Sequence, residues 1–273
     1  MGPIKAMHAT LALFSAVPVP PLAEIDRPTA RASVRALPWL GMLFGLVMAG
    51  IVAFNVVLRL PNYLVAIVCL AVLAGLTGSL HLDGVADVAD GLGSRKGAED
   101  ALAIMKKSDI GPMGVISLLF VLLLQIACLT LLTDHLQPPA ALTMGISLLI
   151  GGPMVGRLAV LWATRPAFSS ARPGGFGELV IGVTSLADFF INAFLVTILL
   201  GAICWAHPLG GLLVVVAVMI ALVWAAFWGR RLARRFGGFT GDCFGSLIET
   251  TQLAFWLAGV VLLRLSYLGE IIQ

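Results

Sequence analysis

Charge is what this sequence has least of. Only 11% of its 273 residues are Asp, Glu, Lys or Arg, against about 25% in a soluble domain. That leaves too little charge to cover the surface of a soluble globule. Disordered, collagen-like and nucleic-acid-binding classes fall at the same step, since each needs far more polar or basic sequence. Cysteine is scarce too. The four present (Cys69, Cys128, Cys204 and Cys243) form no CxxC pair and no metal-ligand spacing, so neither a disulfide framework nor a zinc site is expected. Nor is a cleavable leader expected, because the run from Ala9 to Val17 is short and prolines 18, 20 and 21 interrupt it.

Apolar sequence is abundant instead, at 60% of residues with a mean hydropathy of +1.04. A membrane-spanning helix needs about 20 predominantly apolar residues. Seven stretches are expected to span: Leu37–Leu58, Tyr63–Leu82, Met113–Leu132, Ala140–Trp162, Phe189–Trp205, Leu209–Trp228 and Gln252–Tyr267. Turn signals separate them at Arg59-Leu60-Pro61-Asn62, at Asp134-His135 with prolines 138 and 139, and at His207-Pro208. Tryptophans 39, 162, 205 and 228 fall near expected ends, where interfacial aromatics belong. The fold class is therefore an all-α integral membrane protein, a bundle of about seven transmembrane helices in a single polytopic domain over residues 1–273.

Short-loop lysines and arginines set orientation. The segment before span one, the loop after span two, the end of span four with its loop, and the loop after span six hold fifteen of the seventeen basic residues. Only Arg59 and Arg264 fall opposite. A cytoplasmic N-terminus follows, in a bacterial-type inner membrane. Eleven of the fourteen acids lie on the same side, and Asp188, read as a helix-start residue, makes twelve. Any chemistry is expected in loops at the cytoplasmic face.

The most informative stretch is His81-Leu82-Asp83-Gly84-Val85-Ala86-Asp87-Val88-Ala89-Asp90-Gly91. Its D-x3-D-x2-D spacing puts Asp83, Asp87 and Asp90 on one stripe of a helix turning about 100° per residue. Three carboxylates on one stripe repel each other and lose solvation near headgroups. A divalent cation removes both problems, and hard oxygen donors suit Mg2+ shared with substrate phosphates. The bland alternative is a polar loop that merely stops span two. His81 reads as an interface residue or a partner of the aspartates, and the other three histidines as structural.

Further along, Glu99–Lys107 forms a short amphipathic stretch, with Lys106 and Lys107 facing either phosphate or lipid headgroups. Arg157 sits in an apolar run, where it either faces a partner inside the bundle or snorkels to the interface. Ala171–Gly177 is a glycine-rich loop carrying Arg172, able to bring N–H groups and a guanidinium to a phosphate. Arg230, Arg231, Arg234 and Arg235 read first as an anchor on anionic lipid. The following Gly237–Glu249 stretch adds oxygens from Thr240, Asp242 and Glu249. Two acidic clusters beside basic loops describe a metal–diphosphate site.

With these residues in view, the chain resembles the cobalamin (5′-phosphate) synthase family nearly end to end. The family's H-L-D-G-x-A-D-x-x-D-G appears as His81–Gly91, and its L-x-I-M-K-x-S-x-I-G-x-x-G as Leu102–Gly114. R-x-x-P-x-x-G-x-x-x-G runs from Arg35 to Gly45, A-R-x-G-G-x-G is Ala171–Gly177, and G-G-x-T-G-D-x-x-G-x-x-x-E is Gly237–Glu249. The chain departs at Lys107, where the family usually has an acid, and at Phe14–Pro18, which lacks the family's arginine.

The resemblance implies a transferase of cobalamin nucleotide-loop assembly. The 5′-hydroxyl of α-ribazole (or the 5′-phosphate form) attacks the cobinamide-proximal phosphorus of adenosylcobinamide-GDP, and GMP leaves. Asp83, Asp87 and Asp90 would be catalytic residues and metal ligands. His81, Lys106, Arg157, Arg172, Thr240, Asp242 and Glu249 would bind substrate. The lipid bilayer is the other expected partner, nucleic acid is not one, and a homo-oligomer is compatible with the sequence. A CDP-alcohol phosphotransferase shares this logic but needs an arginine where Asp87 follows Ala86. A transporter would place its charges near the bilayer midplane in broken helices.

Overall fold

The computed structural model describes residues 1–107, 109–134, 139–205 and 208–272. Among these there is no strand, and the only β-type pairing is an isolated parallel bridge between Ser170 and Phe239. Eleven helices follow in chain order: α1 (Pro3–Phe14), α2 (Arg27–Leu58), α3 (Asn62–Leu76), α4 (Leu80–Gly93), α5 (Ala98–Ile104) and α6 (Pro112–Asp134), then α7 (Pro139–Ala163), α8 (Phe176–Val180), α9 (Leu186–Ile203), α10 (Pro208–Phe236) and α11 (Gly241–Ile272).

Six of these (α2, α6, α7, α9, α10 and α11) are long and apolar enough to cross a bilayer. The bent pair of α3 and α4 makes up to a seventh crossing. The chain is an all-α, multi-pass membrane protein. Along its most apolar stretch 94% of α7 is buried, against 22% of that of α6, so α7 is the centre of the bundle. Leu119, Phe120, Phe190, Phe194, Val223 and Phe227 are exposed on the outer helices. An apolar face that continuous would be an aggregation liability in water and is ordinary against lipid tails.

The second expected span differs from its prediction. Tyr63–Leu82 is not one helix: α3 stops at Leu76, and α4 leaves at 90°. The cause is local. Gly78 and Ser79 both take left-handed conformations, each with φ of 60°, which two successive residues of a right-handed helix cannot hold. The Thr77 hydroxyl donates back to the Leu73 carbonyl, and Ala16 N–H donates to the Leu76 carbonyl at 2.8 Å. The freed carbonyls are thus satisfied. Two other spans start earlier than expected, α2 at Arg27 and α11 at Gly241, because capping residues stand there. The Asp26 side chain accepts from Thr29 N–H at 2.9 Å, and hydrogen bonding from the Thr29 side chain and then its N–H holds that carboxyl below its ordinary pKa. Residues 135–138 and 206–207, with the turns and histidines expected there, lie outside the described residues.

The helix ends that carry the sequence motifs are tied to one another at one end of the bundle. Arg31 and Arg35 of α2 pair with Asp188 of α9 at 2.9 and 3.2 Å. Asp188 forms a capping box with Ser185, the helix-start role its sequence context indicated. Arg235, at the end of α10, donates to the Lys96 carbonyl at 2.7 Å and to the Gly91 carbonyl at 3.3 Å. Ser169–Ala171 runs beside Phe239, joined by Phe239 N–H to Ser169 O and Ala171 N–H to Phe239 O. The glycine loop and the Gly237–Glu249 motif are therefore one structural unit. Gly41 and Gly45 of the Arg35–Gly45 motif let α2 lie against α7: a Cβ on either would sit under 3 Å from the α7 backbone.

Candidate active site

Two glycines bring α4 and α11 into contact. A Cβ at Gly84 would meet the Asp242 carbonyl at 2.5 Å, and one at Gly245 would meet the His81 backbone at 3.0 Å. Only a residue without a side chain permits that approach. As a result Asp83 and Asp87 of α4 lie beside Asp242, in the first turn of α11. Asp87 feels the repulsion of Asp83, Asp242 and Asp90 together with the attraction of Arg172. Arg172 stands 3.8 Å from the Asp242 carboxylate, while its other amino group donates to the Leu102 carbonyl after α5 begins. Three acids and one guanidinium thus converge from α4, α11 and the 165–175 loop.

The three aspartates of the stripe do not share one environment. Among the described residues, Asp83 and Asp87 accept no hydrogen bond, and Asp83 is exposed. Asp90 is occupied on both oxygens, by Gly111 N–H at 2.7 Å and Gly114 N–H at 2.8 Å. These donors open α6, so Asp90 satisfies unpaired amides at a helix N-terminus, where the dipole also favours an anion. A Cβ at Gly111 or Gly114 would lie 2.5 Å from an Asp90 oxygen. That close approach explains the I-G-x-x-G spacing after α5.

The donors are hard carboxylate oxygens, the chemistry magnesium prefers. Among the described residues, however, no three His, Cys, Asp or Glu side chains close around a common point that could hold a metal by themselves. Magnesium commonly uses one or two carboxylates and completes its shell with water and substrate phosphate. The residues fit an ion shared with a diphosphate better than an all-protein cage.

The remaining sequence candidates take different positions. Thr240 is buried and caps α11, its hydroxyl accepting Cys243 N–H and donating to Asp242, both at 3.2 Å. Lys106 is exposed just after α5. His81, Arg157 and Glu249 form a buried group behind the aspartates. His81 Nδ1 stands 3.7 Å from Glu249, and Gln125 donates to Glu249 at 2.8 Å. Arg157, 1% exposed, faces the bundle interior rather than snorkelling; it lies 4.8 Å over the Phe44 ring and donates to the Pro153 carbonyl. Gln125 was missed in the sequence, although a lone amide in the run Leu122–Ala127 signals a buried partner.

A cavity of about 260 Å³ adjoins the carboxylates, with Asp83, Asp242 and His81 among its lining residues. The description Cobalamin-5-phosphate synthase (CobS) belongs to the family that matches residues 6–260. The chain belongs to this family. A relative from Brevibacillus brevis named adenosylcobinamide-GDP ribazoletransferase is 34% identical over 248 residues, covering 90% of this chain and 93% of its own. Relatives of the same name from Frankia casuarinae and Klebsiella pneumoniae (strain 342) are 35% and 34% identical, covering 89% and 93% of this chain and 89% and 99% of their own lengths. No solved structure matches the chain. The resemblance seen in five motifs is thus a family relationship spanning the whole bundle.

Proposed function

We propose that this protein is an adenosylcobinamide-GDP ribazoletransferase, joining α-ribazole or its 5′-phosphate to adenosylcobinamide-GDP with release of GMP. One observation carries the placement of the chemistry: Asp83, Asp87, Asp242 and Arg172 come together from three separate motifs. Asp83 and Asp87, which accept no hydrogen bond among the described residues, would hold Mg2+ jointly with the substrate's phosphates, with Asp242 beside them. When bound, that ion neutralises charge on the diphosphate oxygens. Arg172 is placed to face the phosphates, its guanidinium fixed between the Leu102 carbonyl and Asp242. Asp90 positions the start of α6 instead of serving as the third ligand that the stripe implies.

The attacking oxygen follows from substrate chemistry. A 5′-phosphorylated acceptor has no free 5′-hydroxyl, so an enzyme that takes both forms uses a secondary ribose hydroxyl rather than the 5′-hydroxyl that the resemblance implies. A carboxylate of the cluster accepts its proton as the phosphorus–oxygen bond forms. The site faces the cytoplasm and the N-terminus is cytoplasmic, in keeping with the fifteen basic residues at this end. The test is direct. Purified protein with adenosylcobinamide-GDP, α-ribazole and magnesium should release GMP with matching corrinoid product, and Asp87→Asn should not. A wild-type preparation that is folded and inert would overturn the reading.

A further inference from the structure

The cavity beside Asp83 and Asp242 has two unlike ends. Asp83, Leu80 and Gly241 are exposed, whereas His81, Val160 and Ile248 are buried, so Asp83 stands at the open end and the closed end is apolar apart from His81. Its walls are aromatic. Phe14 of α1 and Phe176 of α8 meet edge to face at 5.5 Å, and Phe244 of α11 is backed by Phe239 at 5.2 Å. At about 260 Å³ it falls below the roughly 300–1,000 Å³ of sites that take a whole drug-sized ligand. It has room for one part of a substrate.

We propose that this cavity is the acceptor-base subsite, receiving the flat, uncharged bicyclic base of α-ribazole. The inference rests on the transferase reading above and names what that site holds where. Among the described residues no lysine or arginine lines the cavity, so a phosphate meets no counter-charge from them inside it. An aromatic base gains offset or edge contacts from the phenylalanines and loses little on leaving water. Its ribose then lies at the carboxylate end, where a hydroxyl meets Asp83 and Asp242. The guanosine end of the donor fits elsewhere: a second cavity of about 270 Å³ is lined by Arg230, Arg234, Ser169 and Gly238, on the loop that carries Arg172. The geometry also gives α1 a purpose, since Leu13 and Phe14 close one wall.

Two measurements test this, the first on the unaltered protein. Free 5,6-dimethylbenzimidazole should inhibit GMP release competitively against α-ribazole and not against adenosylcobinamide-GDP. In the second, Phe176→Ala opens the wall and Leu13→Trp fills the interior. Each should raise the KM for α-ribazole about tenfold, the loss of one aromatic contact or its space, and leave the KM for adenosylcobinamide-GDP within about twofold. Competition with the donor, or a rise confined to the donor KM, would assign the cavity to guanine and overturn the proposal. Unchanged KM for both substrates in monodisperse variants would overturn it as well, leaving the cavity to lipid. Wild-type protein that releases no GMP would instead defeat the transferase reading itself, so the two failures are distinct.

Discussion

Asp87 and Asp90 lie three residues apart on one helical stripe, and replacing each by Asn should give opposite phenotypes. Asp90 accepts two backbone N–H groups that open α6. Asn keeps one acceptor oxygen and turns an amide donor toward the second N–H. One charge-assisted bond is lost, worth about 1.5–3 kcal/mol, and the favourable anion–dipole contact, worth about 0.3–1 kcal/mol, goes with it. Asp90→Asn should therefore destabilise the protein by about 3 kcal/mol, on the order of a hundredfold in the folded-to-unfolded ratio. Asp87 makes no hydrogen bond among the described residues and is surrounded by Asp83, Asp90 and Asp242. Asp87→Asn removes repulsion, so stability should hold or rise, while GMP release should fall about 100-fold or more with the lost electrostatic ligand. Thermal unfolding in detergent, followed by tryptophan fluorescence, is read beside GMP release at a temperature where both variants are folded. The reasoning fails if Asp90→Asn unfolds with wild type and loses turnover, or if Asp87→Asn is the unstable one.

Other outcomes follow from the same geometry. Excess chelator should abolish GMP release and added magnesium restore it; full turnover in chelator refutes the carboxylate–metal reading. Arg172→Lys keeps a positive charge but cannot reach both the Leu102 carbonyl and Asp242, so kcat/KM should drop about tenfold; parity with wild type would show that the fork is dispensable. Reporter fusions after residues 97, 170 and 238 should read cytoplasm and one after residue 60 should read the opposite side. Any inner-loop fusion reporting outside breaks the shared site.

The helices and the Asp83–Asp90 stripe were legible because each is a local pattern: apolar length and helical spacing. The motifs also marked elements that the structure brings together. What each motif residue does was less legible, because it depends on which elements meet. Nothing in D-x3-D-x2-D distinguishes Asp90 from its neighbours; the difference is the two glycines that arrive from α6. Thr240 reads as an oxygen donor in a loop until α11 is seen to start at Gly241, where it becomes a cap. The break after Leu76 was hidden by hydrophobicity, which continues through Leu80 and Leu82 while Gly78 and Ser79 turn the backbone.

That break, together with buried Arg157 and Glu249, is a combination a transporter would also show, with charges at mid-membrane beside a broken helix. Depth separates the two cases. Arg157 is six residues from the Ala163 end of α7 and Glu249 eight from the Gly241 start of α11, which at about 1.5 Å per residue places them about 9 and 12 Å below the motif end. Neither stands at the middle of its helix. Both reach the first turn of α4, Glu249 directly through His81 at 3.7 Å and Arg157 through its attraction to Glu249. Removing one partner of such a group leaves a buried charge uncompensated, a cost of about 3–5 kcal/mol. The buried group therefore anchors the start of α4 to α11, α6 and α7, and from there α4 runs beside α6 and α11 until Asp90 meets the start of α6. Asp83 and Asp87 are carried on a helix held at its root by charge and along its side by the Gly84 and Gly245 contacts, an arrangement that fixes carboxylates rigidly and suits the proposed transferase site better than a transport path.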